Sequence, residues 1–324
     1  MSRNLFKGTD TDQPRLAVLL IIAALTFLSF QDGLVKASNA QSSLWQFQFL
    51  RAFFNLVLLM TGLIIAGQLR LIRPQKPLAV LARTGALMLT MTFFFSGSPF
   101  LTLAEMGAGL YTYPIFMTLL SVLFLGERIG PWRIGAILVA AAGAVLITRP
   151  GSQAFHIAQI LPIFAGLTYA INATIVRRYC RQESPLTMAV WAGAGFLTVS
   201  LLGAVVIGAL PITQAVRDTW PFLLTAWPTL GLGVLGLAFA AAICNVSGNI
   251  LIVKAYQSAE LSWLAPIDYT YLIFATFWGF VLFSDLPNLS TISGMALIAL
   301  AGIVTALREN QIGKSQKPTN PNAL

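Results

Sequence analysis

Long apolar runs separated by short polar clusters dominate the chain. They lie near 16–35, 44–67, 78–97, 102–125, 132–148, 156–177, 186–209, 222–251, 261–283 and 288–307. Most approach the roughly 20 residues that a helix needs to cross the hydrocarbon core of a bilayer. The runs are continuous rather than alternating, which predicts helices and excludes a transmembrane barrel. The eighth run is long for one span, so a tilted or partly interfacial helix is expected there. The polar ends, 1–14 and 308–324, read as disordered tails. Leu16 to Phe30, followed by Ala37-Ser38-Asn39-Ala40, has the look of a signal peptide. Asp10, Asp12 and the polar Gln31-Asp32 argue instead for an uncleaved first helix.

Composition sharpens this picture. Apolar residues make up 57% of the 324 and charged residues 10%, against about 25% charged in ordinary soluble domains. Water is the wrong solvent for such a chain, which excludes a soluble enzyme, a nucleic-acid binder and a disordered scaffold. The fold class is an all-α integral membrane protein with about ten transmembrane helices. The net charge of +9 sits in short loops beside the apolar runs, and no stretch interleaves basic and aromatic residues as a nucleic-acid surface does. Of the 20 Lys and Arg, three (Lys36, Arg149, Arg217) fall in outside segments, Arg51 lies within a span, and the remaining sixteen fall inside. That asymmetry predicts a multi-pass protein with both termini cytoplasmic, in a bacterial inner (plasma) membrane. Cys180 and Cys244 are far apart and read as small apolar fillers.

The chain also repeats itself. Tyr111-Thr112-Tyr113-Pro114 recurs as Tyr269-Thr270-Tyr271-Leu272 at an offset of 158, where Glu127 also meets Asp285. Gly135 and Gly143 meet Gly294 and Gly302 at an offset of 159, and Leu25-Thr26 meets Leu167-Thr168 at 142. Two units of five helices are expected, 1–150 and 151–324, the second with a short polar tail. Because five is odd, the copies run in opposite senses through the membrane. Inverted-topology repeats are a mark of secondary transporters, whose substrate site lies near the midplane between the halves.

Tyr113-Pro114-Ile115-Phe116 through Leu125-Gly126-Glu127-Arg128, followed by Gly135 and Ala141-Ala142-Gly143, resembles the EamA pattern of the drug/metabolite transporter superfamily. The second copy departs from it at Phe283-Ser284-Asp285-Leu286. Asp32, Lys36 and Phe49-Leu50-Arg51-Ala52 resemble, more weakly, a branch of S-adenosylmethionine-type and related metabolite carriers. The resemblance implies transport of a small metabolite, driven by a gradient rather than by ATP. The chain has no Gly-rich phosphate loop ending in Gly-Lys-Ser/Thr, in agreement.

Ionisable residues within apolar runs need an account, because burying a charge in a bilayer is costly. Asp32 and Lys36 are four residues apart on one helix face, where they can pair. Substrate or proton contact is one reading of them; an interfacial pair is the other. Arg51 suits a bidentate carboxylate, either a substrate's or that of Asp32. Glu105 opens the fourth helix, as a cavity group or as a charge favouring the helix N-terminus. Asp268 is the deepest acid of the ninth run and is suited to taking up a proton, or to pairing with Lys254. Tyr111 and Tyr113 are expected to face Tyr269 and Tyr271 across the centre, offering rings and hydroxyls to a ligand. Tyr111 and Tyr113 sit about 200° apart on a helix, so one of each pair packs elsewhere. Asn245, Ser247 and Asn249 read as helix-helix glue. Pro114 and Pro266 break or kink their helices. Ala136, Ala140 and Gly143 form a small-residue strip for close packing, within the chain or in a homodimer. His156, the only histidine, lacks metal partners at useful spacing.

The substrate-site set is therefore Asp32, Arg51, Tyr111, Tyr113, Asp268 and Tyr271. No catalytic residue, metal or cofactor is expected. The expected partners are a small-molecule substrate, the lipid bilayer and protons as a coupling ion. A multidrug or metabolite exporter and a lipid-linked substrate flippase are the alternatives. A membrane-embedded enzyme and a sensory protein are the rivals outside transport.

Overall fold

The computed structural model describes residues 14–125, 131–151, 153, 155–258, 264 and 266–315, and every regular element among them is helical. The helices are α1 (Pro14–Ala37), α2 (Leu44–Ile65), α3 (Pro77–Ser96), α4 (Leu103–Leu110), α5 (Tyr113–Leu125), α6 (Pro131–Thr148), α7 (Leu161–Tyr179), α8 (Pro185–Ala209), α9 (Gln214–Thr219), α10 (Pro221–Leu224), α11 (Leu232–Ser258), α12 (Thr270–Phe283) and α13 (Leu289–Ser315). Short 3-10 turns cover Leu69–Ile72, Ile157–Ile160 and Ile267–Tyr269. Six of these stretches are long and apolar enough to cross a membrane, and shorter apolar helices accompany them. Leu19, Val57, Ile65, Leu123 and Leu232 are exposed on the outside of the bundle, as a lipid-facing surface requires.

The fourth run is broken into α4 and α5 at Tyr111 and Thr112, as Pro114 predicts. Pro114 has no N–H to give to the carbonyl of Leu110, and its ring crowds that carbonyl. Two runs differ from their expected shape. The eighth is not one tilted helix: Pro228 and Gly231 fall in its interruption, so α10 ends at Leu224, an irregular stretch follows, and the span is α11 alone. Donors from the start of α2 satisfy the carbonyls of that stretch. Ser43 donates to Ala226 O (2.8 Å), Trp45 Nε1 to Leu223 O (2.8 Å) and Gln46 Nε2 to Pro228 O (2.7 Å). The last helix continues through Ser315, into the stretch expected to be a tail. Proline does not recur until Lys317-Pro318, so nothing before that stops the helix. The Gly126-Glu127-Arg128 part of the EamA-like corner lies outside the described residues.

Packing follows a regular plan. α1 lies along α11, α3 along α7, α2 along α8 and α6 along α13, while α12 rests on α1 and α4, and α7 on α4 and α5. The seam between α6 and α13 is closest at two glycines. A Cβ on Gly143 would stand 2.7 Å from Gly294 O, and one on Gly294 would stand 2.5 Å from Gly143 O. The small-residue strip therefore serves contact within the chain, backbone against backbone.

Candidate functional site

Both Tyr-Thr-Tyr elements fall where a helix is interrupted. At the first, the Thr112 hydroxyl donates to Gly109 O (2.6 Å). At the second, the Thr270 hydroxyl donates to Ile267 O (2.7 Å). Each threonine thus adds a side-chain bond to a carbonyl that its own backbone N–H also reaches. Pro266 heads the second interruption, where the chain makes a 3-10 turn before α12.

The interruptions meet at the centre of the bundle. The Tyr111 hydroxyl donates to Asp268 O (2.8 Å). Its ring stacks on Tyr271 at 5.3 Å and 17°, and meets Tyr269 edge-on at 5.3 Å. Gly107 permits the stack, since a Cβ there would stand 2.9 Å from the Tyr271 ring. Tyr113 touches Tyr111 at 6.0 Å but is aimed at Tyr169 of α7, 5.0 Å away. Between α5, α6 and α13 a shallow crevice opens on the flank, lined by Tyr111, Pro114, Tyr269 and Gly302.

A polar network continues from Tyr271. The Tyr271 hydroxyl donates to Asp32 Oδ2 (2.6 Å), and Gln31 Nε2 donates to Asp32 Oδ1 (2.8 Å). Asn245 of α11 donates to Gln31 Oε1 (2.6 Å), and Asn55 of α2 donates to Asn245 Oδ1 (3.3 Å). Four helices thereby converge on one carboxylate that is only 8% exposed. Such a chain of amides, connected from Asn55 Nδ2 to Asp32, makes a buried acid tolerable. Arg51 is 4% exposed and close enough to Asp32 for their charges to interact. Its guanidinium carbon lies 5.5 Å from the Phe95 ring and 6.0 Å from the Phe196 ring. Its Nη1 has no hydrogen-bond partner among the described residues.

Asp32, Arg51, Tyr111 and Tyr271 are thus gathered at one centre, with Tyr113 at its edge. Asp268 takes part through its backbone carbonyl, and its carboxylate lies half-buried on the 3-10 turn rather than deep within a helix. Lys36 does not pair with Asp32. It donates to Asp285 Oδ2 (2.5 Å) and Leu101 O (2.9 Å), and lies over the Phe283 ring. Glu105 closes a capping box with Thr102, the helix-terminus role. His156 caps a 3-10 turn and stacks on Phe100. Asn245, expected as helix glue, does bond α11 to α1 and α2, and does so within the central network. Gln48, Asn55 and Tyr169 were not foreseen; Gln48 and Asn55 stand at helical spacing from Arg51, whereas Tyr169 comes from another helix, where spacing gives no signal.

Residues 15–149 match the EamA-like transporter family. The chain is 26% identical over 287 residues to a pseudopaline exporter of Pseudomonas aeruginosa, covering 88% of this chain and 94% of the exporter. It is 29% identical over 211 residues to a riboflavin transporter of Vibrio cholerae, covering 65% of this chain and 64% of that one. It is 22% identical over 293 residues to an S-adenosylmethionine uptake transporter of Rickettsia bellii, covering 90% and 93%. A solved crystal structure shares its fold with a TM-score of 0.59 at 19% identity, over 93% of this chain and 99% of that one. The described helices make the chain a multi-pass membrane protein. More particularly, it is similar to EamA-type transporters of the drug/metabolite transporter superfamily, through the match over residues 15–149 and through these transporter relatives.

Proposed function

We propose that the protein is a secondary carrier for a small polar or amphipathic metabolite, such as an amino acid or derivative or an S-adenosylmethionine-like compound. It works by alternating access in a bacterial inner (plasma) membrane, with both termini cytoplasmic. About ten crossings form two inverted five-helix repeats, 1–150 and 151–324. The family match falls within the first of these. The packing plan supports the pairing. Exchanging each apolar run for its partner five runs away turns the α1–α11 contact into the α7–α3 contact, and leaves α2–α8 and α6–α13 in place. The matching bonds of Thr112 and Thr270 support it again.

The observation that carries the reading is the buried Asp32–Arg51 centre beside two interrupted helices. Irregular backbone and intramembrane charge belong at a substrate path. Tyr111, Tyr113 and Tyr271 supply ring faces, and the half-buried Asp268 is the group for proton coupling. The second reading is an exporter or flippase for amphipathic or lipid-linked cargo. Gly143 is engaged with α13, so a homodimer would use another face.

The test is counterflow in proteoliposomes against amino acids, S-adenosylmethionine, nucleosides and vitamins. Arg51→Ala and Asp268→Asn are expected to abolish transport of a cargo carried by the wild type, while each protein stays monodisperse. Wild-type rates in both would sink the assignment of the site.

A further inference from the structure

Along α2, Gln48, Arg51 and Asn55 succeed one another at steps of three and four residues. They share one face over about 10 Å of helix. Each keeps a buried polar atom without a hydrogen-bond partner among the described residues: Gln48 Oε1, Arg51 Nη1 and Asn55 Oδ1. Gln48 and Arg51 are each 4% exposed. A buried polar atom left unpaired costs about 1–3 kcal/mol, and more when charged. Three in a row on an otherwise apolar helix mark a surface built for something other than packing.

The row reads acceptor, donor, acceptor. Asp32 does not complete it: its bonds run to Gln31 and Tyr271, and Arg51 Nη1 stays without a partner among the described residues although the two charges interact. Phe95 and Phe196 flank the guanidinium and keep competing donors and acceptors of the protein away from it. The complement of this row is an anion flanked by an N–H donor.

We infer, with α2 lining the path of the carrier proposed above, that the cargo is read along this face. Its carboxylate bonds Arg51, and an amino group beside the carboxylate donates to Gln48 or Asn55. The substrate class is a compound with an α-amino acid headgroup, and Gln48 and Asn55 determine specificity. A guanidinium gives the carboxylate two parallel bonds, which fixes the headgroup's orientation.

The experiment is ligand-induced thermal stabilisation of the full-length protein in detergent, with Kd measured for each hit. The probes are the twenty L-amino acids, each beside its carboxyl methyl ester, and S-adenosylmethionine. Riboflavin and tetraphenylphosphonium serve as carboxylate-free controls. A free α-amino acid compound is expected to bind, and an amino-acid ligand at least tenfold more tightly than its ester. Arg51→Gln is expected to raise its Kd at least tenfold, and Gln48→Leu severalfold. If Arg51→Gln fails to fold, Arg51→Lys and Gln48→Leu carry the comparison. Equal binding of acid and ester, a Kd indifferent to both substitutions, binding confined to the controls, or no stabilisation by any α-amino acid compound overturns the inference. Flux in proteoliposomes is scored apart. A carboxylate-free compound that is carried keeps the carrier and discards the headgroup; a bound α-amino acid that is never carried does the reverse.

Discussion

Tyr113 and Tyr271 occupy matching places in the repeated Tyr-Thr-Tyr element, yet they meet different neighbours. Tyr271 reaches α1 and gives its hydroxyl to a buried carboxylate. Tyr113 reaches α7 and finds another tyrosine ring. The backbone around them is alike, down to the threonine that bonds the carbonyl three residues back. One side of the centre is thus electrostatic and the other aromatic. On the two-repeat reading proposed above, the scaffold fixes where helices break and cross. It leaves the chemistry at the crossing free to differ, since one side chain on a neighbouring helix decides it.

The comparison can be strained from several directions. The largest effect is expected at the α6–α13 seam, where two glycines face each other's carbonyls. Gly143→Val and Gly294→Val each drive a side chain into the opposite carbonyl, with an expected cost of about 3 kcal/mol. Thermal unfolding in detergent should show nearly equal losses for the two. A large inequality would mean that the seam is not shared evenly. Next come the tyrosines, where inequality is expected. Tyr271→Phe leaves Asp32 Oδ2 without its donor at about 1–3 kcal/mol, which corresponds to a loss of transport of about tenfold or more. Tyr113→Phe keeps the ring contact and should remain within about twofold of wild type. Equal transport rates for the two would erase the distinction between the sides. The smallest effect is expected at the threonines. Thr112→Val and Thr270→Val each remove one side-chain bond to a carbonyl, and each should lower stability by about 1 kcal/mol. Matched shifts would sharpen the claim that the interruptions are built alike.

Much of this architecture was legible because membrane helices announce themselves by length and polarity, and because the repeat places equal residues at equal offsets. Pro114 and Pro266 pointed to the interruptions through simple backbone chemistry. The meeting of Tyr111 with Tyr269 and Tyr271 followed from pairing the copies. Other features escaped for physical reasons. The eighth run was read as one helix because hydropathy is blind to Pro228 and Gly231, which stop a helix without making it polar. Lys36 was placed beside Asp32 because periodicity knows only neighbours on the same helix. Its partner, Asp285, is 249 residues away in sequence. Asp268 looked deep because the run around it is apolar, but Pro266 forces a 3-10 turn that leaves the side chain half-buried. The row of Gln48, Arg51 and Asn55 was visible as spacing, and only its unpaired atoms show what distinguishes it.

The irregular stretch ahead of α11 bears on how the bundle can move. Ser43, Trp45 and Gln46 act toward its carbonyls as a fixed hydration shell, supplied by α2 in place of water. Parting the two would strip three carbonyls of their only nearby solvent at once. The head of α2 and the approach to α11 are thereby mechanically one piece, and a hinge in this carrier must lie elsewhere.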